Sequence, residues 1–216
     1  MENSSSYSTE LNRQLLATGL KPVDDRVAGK FDQYLSLLLR WNARINLTAI
    51  REPQDILSRH FVESIACAQH LPVGIGSLLD FGSGAGLPGI PIALCRPEIA
   101  VTLAESQTRK AAFLREVVRT LQLTSTVWAR RAEEIAEEFD CVTIRAVDRM
   151  DEAVPLASAL VRSGGWLAAL TTSNRATEIK TLAGQGLRWL SPAHMTGSEQ
   201  RILLLAQSES LDQKSS

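Results

Sequence analysis

The spacing of hydrophobic residues along the chain changes near residue 77. Before Leu71 the apolar residues recur every three or four positions, which is the period of an amphipathic helix. This pattern predicts three helices: residues 9–18, a second after Asp24 with Val27, Phe31, Leu38 and Trp41 on one face, and a third from near Pro53 with Ile56, Phe61 and Ile65. We therefore expect a helical extension over residues 1–71.

After residue 77, short apolar runs alternate with helical patterns. The predicted strands are 77–81, 101–104, 125–128, 141–144 and 166–170, and the predicted helices are 90–95, 108–121, 133–138 and 151–161. Alternation of this kind indicates a parallel sheet covered on both faces, with its ligand at the carboxyl ends of the strands. Segments 187–190 and 202–205 are predicted to pair as an antiparallel edge. We expect this α/β domain over residues 72–207 and a polar tail over 208–216.

The composition is typical of a globular protein with one main core. The 216 residues are 44% hydrophobic and 22% charged, and no apolar run approaches the roughly 18 residues that cross a bilayer. Because the first ten residues also lack the apolar stretch of a signal peptide, we expect a cytoplasmic protein without membrane contact. Cys67, Cys95 and Cys141 show no metal-ligand spacing, so they are interpreted as reduced core residues and no metal site is expected. The net charge of −1 neither supports nor excludes RNA binding.

A glycine-rich segment between the first predicted strand and the next helix is the strongest candidate for a binding site. It has the sequence DFGSGAGLPG and runs from Asp80 to Gly89. Glycine allows the backbone to turn sharply and to approach a ligand closely. The N–H groups at the start of the following helix attract an anion, which can be a carboxylate or a phosphate.

Two cofactors compete for this segment. The spacing GxGxxG that starts at Gly84 matches the fingerprint of nicotinamide dinucleotide enzymes. Three features favour S-adenosylmethionine: Asp80 ends the strand, the glycines alternate from Gly82, and Glu105 closes the next strand. There the carboxylate of Glu105 can accept hydrogen bonds from both ribose hydroxyls. We therefore predict that the chain is a methyltransferase of the Rossmann-like class, with cofactor contacts that include Asp80, Gly82, Gly84 and Glu105.

Two further segments are expected at the same edge of the sheet. Ala132 and Glu133 follow the third predicted strand, where their backbone groups can bind the adenine, although the same residues are equally typical of an ordinary helix start. Arg145 ends the fourth predicted strand, at the mouth of the cofactor site. An ion pair with a nearby acid explains Arg145 equally well.

Several motifs taken together resemble the family of ribosomal RNA small subunit methyltransferase G, also called glucose-inhibited division protein B. They extend over nearly the whole chain: Arg40-Trp41-Asn42, Ile45-Asn46-Leu47-Thr48, Arg59-His60, the run from Gly82 to Pro91, Arg96-Pro97-Glu98, Arg131-Ala132-Glu133-Glu134 and Arg145-Ala146. The tryptophan-asparagine and asparagine-leucine-threonine motifs, combined with Gly-Leu-Pro-Gly-Ile-Pro, are far more specific than any glycine pattern.

The resemblance implies a class I S-adenosylmethionine-dependent enzyme that methylates N7 of one guanine in the 16S ribosomal RNA of the small subunit. It also implies cofactor contacts at Gly82, Leu87, Ala132, Glu133 and Arg145. Guanine N7 carries a lone pair and no proton, so the transfer requires placement of the two reactants rather than a general base. Arg145 is then the candidate catalytic residue that bridges cofactor and substrate, and we expect the enzyme to be a monomer.

The chain departs from the family pattern at two positions. Ile144 stands where many relatives have serine before the Arg-Ala pair, and a lysine after the fifth strand is replaced around Thr171. If that lysine contacts RNA in relatives, this chain handles its substrate differently. The candidates for a phosphate-facing surface are Arg40, Arg44, Asn46, Arg51, Arg59 and His60, whereas Trp41 is interpreted as a core residue. The alternatives are a small-molecule methyltransferase, a nicotinamide oxidoreductase and a nonenzymatic protein that binds the adenosyl cofactor or RNA.

Overall fold

A computed structural model describes residues 4–145, 149–195, 198 and 200–209. The amino-terminal part is helical, as predicted. It contains α1 (Ser4–Ala17), α2 (Asp25–Asn42), α3 (Pro53–Ile56), a π-helical segment (Leu57–Val62) and α4 (Glu63–His70). The carboxylate of Asp24 accepts a hydrogen bond of 2.8 Å from the backbone N–H of Val27, which fixes the start of α2. The first helix begins five residues earlier than predicted, at Ser4 rather than at residue 9.

The strands of the described chain form one sheet. They are β1 (Ser77–Phe81), β2 (Ala100–Ala104), β3 (Thr126–Trp128), β4 (Phe139–Arg145), β5 (Val161–Thr172), β6 (Leu187–Trp189), β7 (Ala193–His194) and β8 (Arg201–Ser208). Their order is β3-β2-β1-β4-β5-β8-β6, and β7 also pairs with β8. The pairs from β3 to β5 are parallel, and β8 runs antiparallel to β5 and β6. This confirms the predicted parallel sheet with an antiparallel edge.

The direction in which strands are added reverses at β1. The chain proceeds from β1 through β2 to β3 on one side and then returns to place β4 on the other side of β1. Such a reversal leaves a crevice at the carboxyl ends of the two central strands, where open α/β sheets bind their ligands. The helices that connect the strands are α5 (Gly89–Cys95), α6 (Thr108–Thr120), α7 (Met150–Ala159) and α8 (Ala176–Leu182).

The predicted helix over residues 133–138 is wrong. A 3-10 turn over Ala132–Glu134 is followed by extended chain that leads into β4. The connection must return from the carboxyl end of β3 to the start of β4, and six helical residues advance about 9 Å, whereas six extended residues advance about 20 Å. The predicted end of the following helix is also wrong, because α7 ends at Ala159 and Val161 already belongs to β5.

Apolar side chains cover both faces of the sheet. Leu78 belongs to the core on one face, together with residues of α1, α2 and α4, and Leu79 belongs to the core on the other face. The helical extension therefore shares a continuous core with one face of the sheet. Cys67 and Cys141 are buried, Cys95 is half-buried, and all three thiols are free, as predicted. Among the described helices, none is both long and apolar enough to cross a bilayer.

Candidate functional site

The glycine-rich segment forms a loop at the carboxyl end of β1. Gly82, Gly84 and Gly86 have φ angles of 68°, 55° and 86°, a region that side chains with a Cβ rarely adopt. A Cβ on Gly86 would lie 2.6 Å from the Ile90 side chain, so this glycine is required for packing beneath the loop. At Gly84 a Cβ would have no neighbour nearer than 3.8 Å. The upper side of the loop is therefore an open cradle of backbone.

Glu105 holds the loop from the side of β2. Its carboxylate accepts hydrogen bonds of 3.0 Å from the N–H of Gly84 and 2.8 Å from the N–H of Gln107. Phe81 pairs with Ala104 in the parallel register, so Gly82 and Glu105 emerge side by side at the edge of the sheet. Each carboxylate oxygen has two lone pairs, and acceptor capacity therefore remains for a ligand in the cradle.

Asp80 lies below the loop and is almost completely buried. It accepts hydrogen bonds of 2.8 Å from the Thr143 hydroxyl of β4 and 3.1 Å from the N–H of Gly89 at the start of α5. Burial raises the pKa of Asp80 to about 6, because desolvation outweighs these hydrogen bonds. The carboxylate therefore ties β1, β4 and α5 together beneath the cradle.

Tyr34 of α2 supports the same loop from the helical extension. Its buried hydroxyl donates a hydrogen bond of 2.5 Å to the carbonyl oxygen of Ala85. Its ring stacks on Phe61 with the ring centroids 5.0 Å apart. The loop is thus fixed from two sides, by a carboxylate of the sheet and by a phenol of the extension.

Arg145 stands at the carboxyl end of β4, on the side of Gly82 away from Glu105, because Phe81 also pairs with Ile144. Its guanidinium points toward the helical extension and forms an ion pair with Glu63 at 2.9 Å. It also donates to the carbonyl oxygen of Arg59 at 2.8 Å and to the Ser64 hydroxyl at 3.3 Å. Arg145 therefore links the strand that flanks the loop to the π-helical segment and α4.

Glu63 lies between two arginines that come from different strands. Besides Arg145 it forms an ion pair with Arg201, which begins β8. Burial raises the pKa of Glu63, while the charges of Arg145 and Arg201 oppose that rise. His60 lies 3.2 Å from Arg145 through Nδ1 and 2.7 Å from the Thr48 hydroxyl through Nε2. Burial, followed by the charge of Arg145, lowers the pKa of His60 to about 3, so its ring is neutral at physiological pH.

These charged residues form part of a cleft of about 260 Å³, whose lining includes Arg145 at the end of the strand that flanks the glycine loop. The carboxyl ends of β4 and β5, the start of β8 and the π-helical segment build its walls. The lining residues divide into an apolar group (Ile50, Ile144, Met150, Ala169, Leu170, Ile179, Met195, Ile202) and a polar group (Arg59, His60, Glu63, Arg145, Thr171, Thr172, Arg175, Arg201). A cleft with apolar walls and a few converging polar groups is the usual form of a small-ligand site.

Comparison with known proteins identifies the family. The protein-family model for rRNA small subunit methyltransferase G matches residues 28–187. The Ribosomal RNA small subunit methyltransferase G of Xanthomonas axonopodis pv. citri is 39% identical over 196 residues, which cover 89% of this chain and 90% of the relative. The protein of the same name from Stenotrophomonas maltophilia strain K279a is 41% identical over the same share of each chain. The chain belongs to the rRNA small subunit methyltransferase G family. It is accordingly a methyltransferase, and the resemblance seen in the sequence is confirmed.

Solved structures support the fold of this family member. TYW2 of Pyrococcus horikoshii, determined in complex with MeSAdo, aligns with a TM-score of 0.57 and 15% identity over 70% of this chain and 63% of that chain. The fibrillarin pre-rRNA processing protein of Methanococcus jannaschii aligns with a TM-score of 0.55 and 15% identity over 69% of this chain and 76% of that chain. At these identities the likeness concerns the fold alone, and it confirms the class I methyltransferase architecture.

The structure brings most of the predicted cofactor residues of this methyltransferase to one edge of the sheet. Gly82, Gly84, Glu105 and Arg145 lie there together, and Ala132 and Glu133 form the 3-10 turn after β3. Two other predicted contacts, Asp80 and Leu87, are buried within the protein beneath or inside the loop. The contact of all these residues with a cofactor stays a prediction.

The residues of the predicted phosphate-facing surface have different surroundings in this methyltransferase, and their contact with RNA stays a prediction. Arg40 forms an ion pair with Glu116 of α6, and Trp41 donates a hydrogen bond of 2.8 Å to the same carboxylate. Trp41 also packs edge-on against Phe113 with the ring centroids 5.8 Å apart, which agrees with its interpretation as a core residue. Of the candidates, Arg59 and His60 line the cleft, while Arg44, Asn46 and Arg51 are exposed and are not among its lining residues.

Three residues of the site were missed in the sequence. Glu63 and Arg201 meet Arg145 only in the folded chain, and the position of Tyr34 on the apolar face of α2 indicates a core residue and no contact with the loop. A weak signal exists for Glu63, because a carboxylate there interrupts the buried stripe between Phe61 and Ile65. No sequence pattern predicts the meeting of β8 with α4. Thr171 lines the cleft, and Ala146 of the Arg-Ala motif lies outside the described residues.

Proposed function

We propose that this methyltransferase transfers the methyl group of S-adenosylmethionine to N7 of a guanine in the 16S ribosomal RNA of the small subunit. One observation carries the proposal: the open glycine cradle lies between Glu105 and Arg145, and Arg145 also lines the cleft next to it. One site for a nucleoside cofactor and one for a flat acceptor thus meet at a single arginine. The small-subunit RNA is the substrate named for the curated relatives.

The residues at the cradle suit S-adenosylmethionine chemically. The exposed Gly82 and the open space at Gly84 leave room for the methionine part of the cofactor, and Glu105 offers carboxylate acceptors for two ribose hydroxyls. The turn at Ala132 and Glu133 adjoins β3, where the adenine would lie across the sheet edge. When bound, this cofactor supplies an electrophilic methyl group on a sulfonium.

The protein's part in the reaction is placement. Guanine N7 attacks with its lone pair and releases no proton, so the enzyme needs no base at that atom. Asp80 is the carboxylate with the most strongly raised pKa near the loop, yet it is buried beneath the loop and hydrogen-bonded to Thr143 and Gly89. It therefore holds the cradle and does not face the acceptor. Correct alignment of two reactants can supply about 7–11 kcal/mol of the barrier.

Arg145 has a bridging role in this proposal. Its backbone continues the strand beside the glycine loop, and its guanidinium is fixed by Glu63, Ser64 and the Arg59 carbonyl. Fixed at this position, the guanidinium holds the cleft wall at a constant position relative to the cradle. Its positive charge attracts the electron-rich edge of a purine. Replacement of Arg145 by alanine is expected to impair methyl transfer, measured as kcat, more severely than it impairs folding, measured as the midpoint of unfolding. Wild-type turnover by this variant would remove Arg145 from the mechanism.

The decisive experiment measures methyl transfer from labelled S-adenosylmethionine to purified small-subunit particles and to their naked RNA. Aniline-induced cleavage then maps the modified base. Label at a single N7-methylguanine supports enzyme, cofactor and substrate together, and a comparison of the two RNA forms identifies the accepted one. Cofactor binding without label on either RNA would contradict the proposed substrate. The oligomeric state, which we propose to be monomeric, is measured on the same preparation by light scattering.

A further inference from the structure

An enzyme that methylates guanine N7 must reject adenine by means of other atoms. Both purines present the same N7 acceptor, but guanine carries O6 where adenine carries an amino group. On the Watson–Crick edge guanine offers two donors, N1–H and the N2 amino group, whereas adenine N1 is an acceptor. Proteins recognise single bases largely through such edges. A pair of adjacent hydrogen-bond acceptors on one wall of the cleft, such as the two oxygens of a carboxylate, would select guanine through N1–H and the N2 amino group.

Among the described residues that line the cleft, Glu63 is the single carboxylate. Arginine has no acceptor, so Arg59, Arg145, Arg175 and Arg201 cannot serve in this role. The apolar residues on the other walls, among them Leu170 and Ile202, can sandwich a planar base but cannot discriminate its edge.

Glu63 is held firmly and still has acceptor capacity. One of its oxygens binds Arg145 of β4 and the other binds Arg201 of β8, and its side chain retains 9% exposure toward the cleft. An ionised carboxylate has about four acceptor sites, of which the two arginines occupy two. Two charged partners from separate strands fix its orientation and oppose the rise in the pKa of Glu63 that burial causes. A carboxylate with free lone pairs at a fixed orientation is suited to a pair of adjacent N–H donors.

We propose that Glu63 selects guanine by accepting hydrogen bonds from N1–H and the N2 amino group of the target base, while Arg145 and Arg201 hold its carboxylate in place. Adenine in the same position would set its unprotonated N1 against the carboxylate and would leave the carboxylate without donors. The inference rests on the proposed function, because it assumes that the target base enters this cleft.

The test removes one donor from the base and the acceptor from the enzyme. Small subunits are assembled with 16S RNA in which the mapped guanosine is replaced by inosine, which keeps N7, O6 and N1–H but lacks the N2 amino group. Wild-type kcat/KM is expected to fall about 10- to 100-fold on inosine, the size of one lost hydrogen bond to a charged group. Glu63→Gln should lower kcat/KM on guanosine by a similar factor. The kcat/KM values of this variant for guanosine and inosine should then differ by less than about threefold.

Glu116→Gln is the matched control. Like Glu63, Glu116 forms an ion pair with an arginine, in this case Arg40 of the extension. It lies on α6 and is not among the residues that line the cleft. This variant should keep the wild-type preference for guanosine over inosine.

Three results would overturn the assignment. Wild-type enzyme that methylates both bases equally would show that the N2 amino group is not recognised. A Glu63→Gln variant slowed by the same factor on both bases would have lost only a structural ion pair. If Glu63→Gln does not fold, Glu63→Asp replaces it, and retention of the full wild-type base preference by this shortened carboxylate would also count against the proposal. Wild-type enzyme that labels no RNA at all would instead reject the proposed function itself.

Discussion

The hydrogen bond from Tyr34 to the glycine loop allows a clean test of how the extension supports the cofactor site. Tyr34→Phe removes one oxygen atom and keeps the ring that stacks on Phe61. The variant leaves the carbonyl oxygen of Ala85 without its donor in a buried position. Burial raises the pKa of the Tyr34 phenol well above its ordinary value, so the hydroxyl remains a donor at every pH used for assays.

The expected magnitude follows from the cost of an unsatisfied buried carbonyl, which is about 1–3 kcal/mol. If the loop stays in place, this whole cost lowers the free energy of unfolding. If the loop instead detaches to reach water, the cost falls on the bound state of the cofactor, and its Kd rises by roughly 5- to 150-fold. The two losses together should amount to the same 1–3 kcal/mol.

Two measurements on one preparation separate these cases. Urea unfolding followed by tryptophan fluorescence gives the free energy of unfolding, and calorimetric titration with S-adenosylmethionine gives the Kd. Tyr7→Phe is the control, because Tyr7 is the other tyrosine of the chain and lies half-buried in α1, away from the loop. If Tyr34→Phe changes neither quantity by more than the control does, the extension does not support the loop through this bond.

Three further substitutions test the parts of the loop. Gly82→Val should abolish cofactor binding in calorimetry, since it adds a branched side chain where the cofactor approaches and at a φ of 68°; unchanged affinity would refute this placement. Gly89→Ala should destabilise the fold by about 1–3 kcal/mol or more in urea, because its Cβ would lie 2.6 Å from Asp80 Oδ2, whereas Gly29→Ala in open space on α2 should stabilise it by up to about 1 kcal/mol. Asp80 has its pKa raised from 3.8 to about 6, so the folded state binds the proton more tightly and this contribution to stability is lost as the pH rises through about 4 to 6. As the pH rises from 4 to 7, the free energy of unfolding of Asp80→Asn should therefore increase by up to about 3 kcal/mol relative to that of wild type. If urea unfolding shows the same difference between the two proteins at both pH values, the burial argument is wrong.

The sequence was sufficient for the sheet and the cradle because both depend on local patterns. The glycines, the acid after β2 and the arginine at the end of β4 are fixed by their position at the ends of strands, and parallel strands bring their carboxyl ends to one edge. The same reasoning placed Gly82 beside Glu105 without knowledge of any contact. The family motifs added the substrate, which no periodicity could supply.

The acceptor side was not predictable in the same way. Glu63 contacts Arg201, 138 positions further along the chain, and Arg145, 82 positions further. Neither contact follows from the period of α4 or from the pattern of β8. The wrong helix over residues 133–138 has a related cause, because its acids suit a helix start locally but the crossover needs the longer reach of extended chain. Distances across the fold overrode local preference in both places.

The shared core of extension and sheet has a consequence for how this enzyme family can diversify. Methyltransferase folds are often pictured as a catalytic unit to which recognition modules are attached. Here Leu11 and Leu15 of the first helix belong to the same apolar cluster as Leu78 of the central strand. Exchange of the first seventy residues for those of another enzyme would therefore uncover one face of the sheet and also remove one wall of the cleft. We therefore expect the extension and the sheet to change together, by substitutions within their joint core, rather than by exchange of the extension as a module.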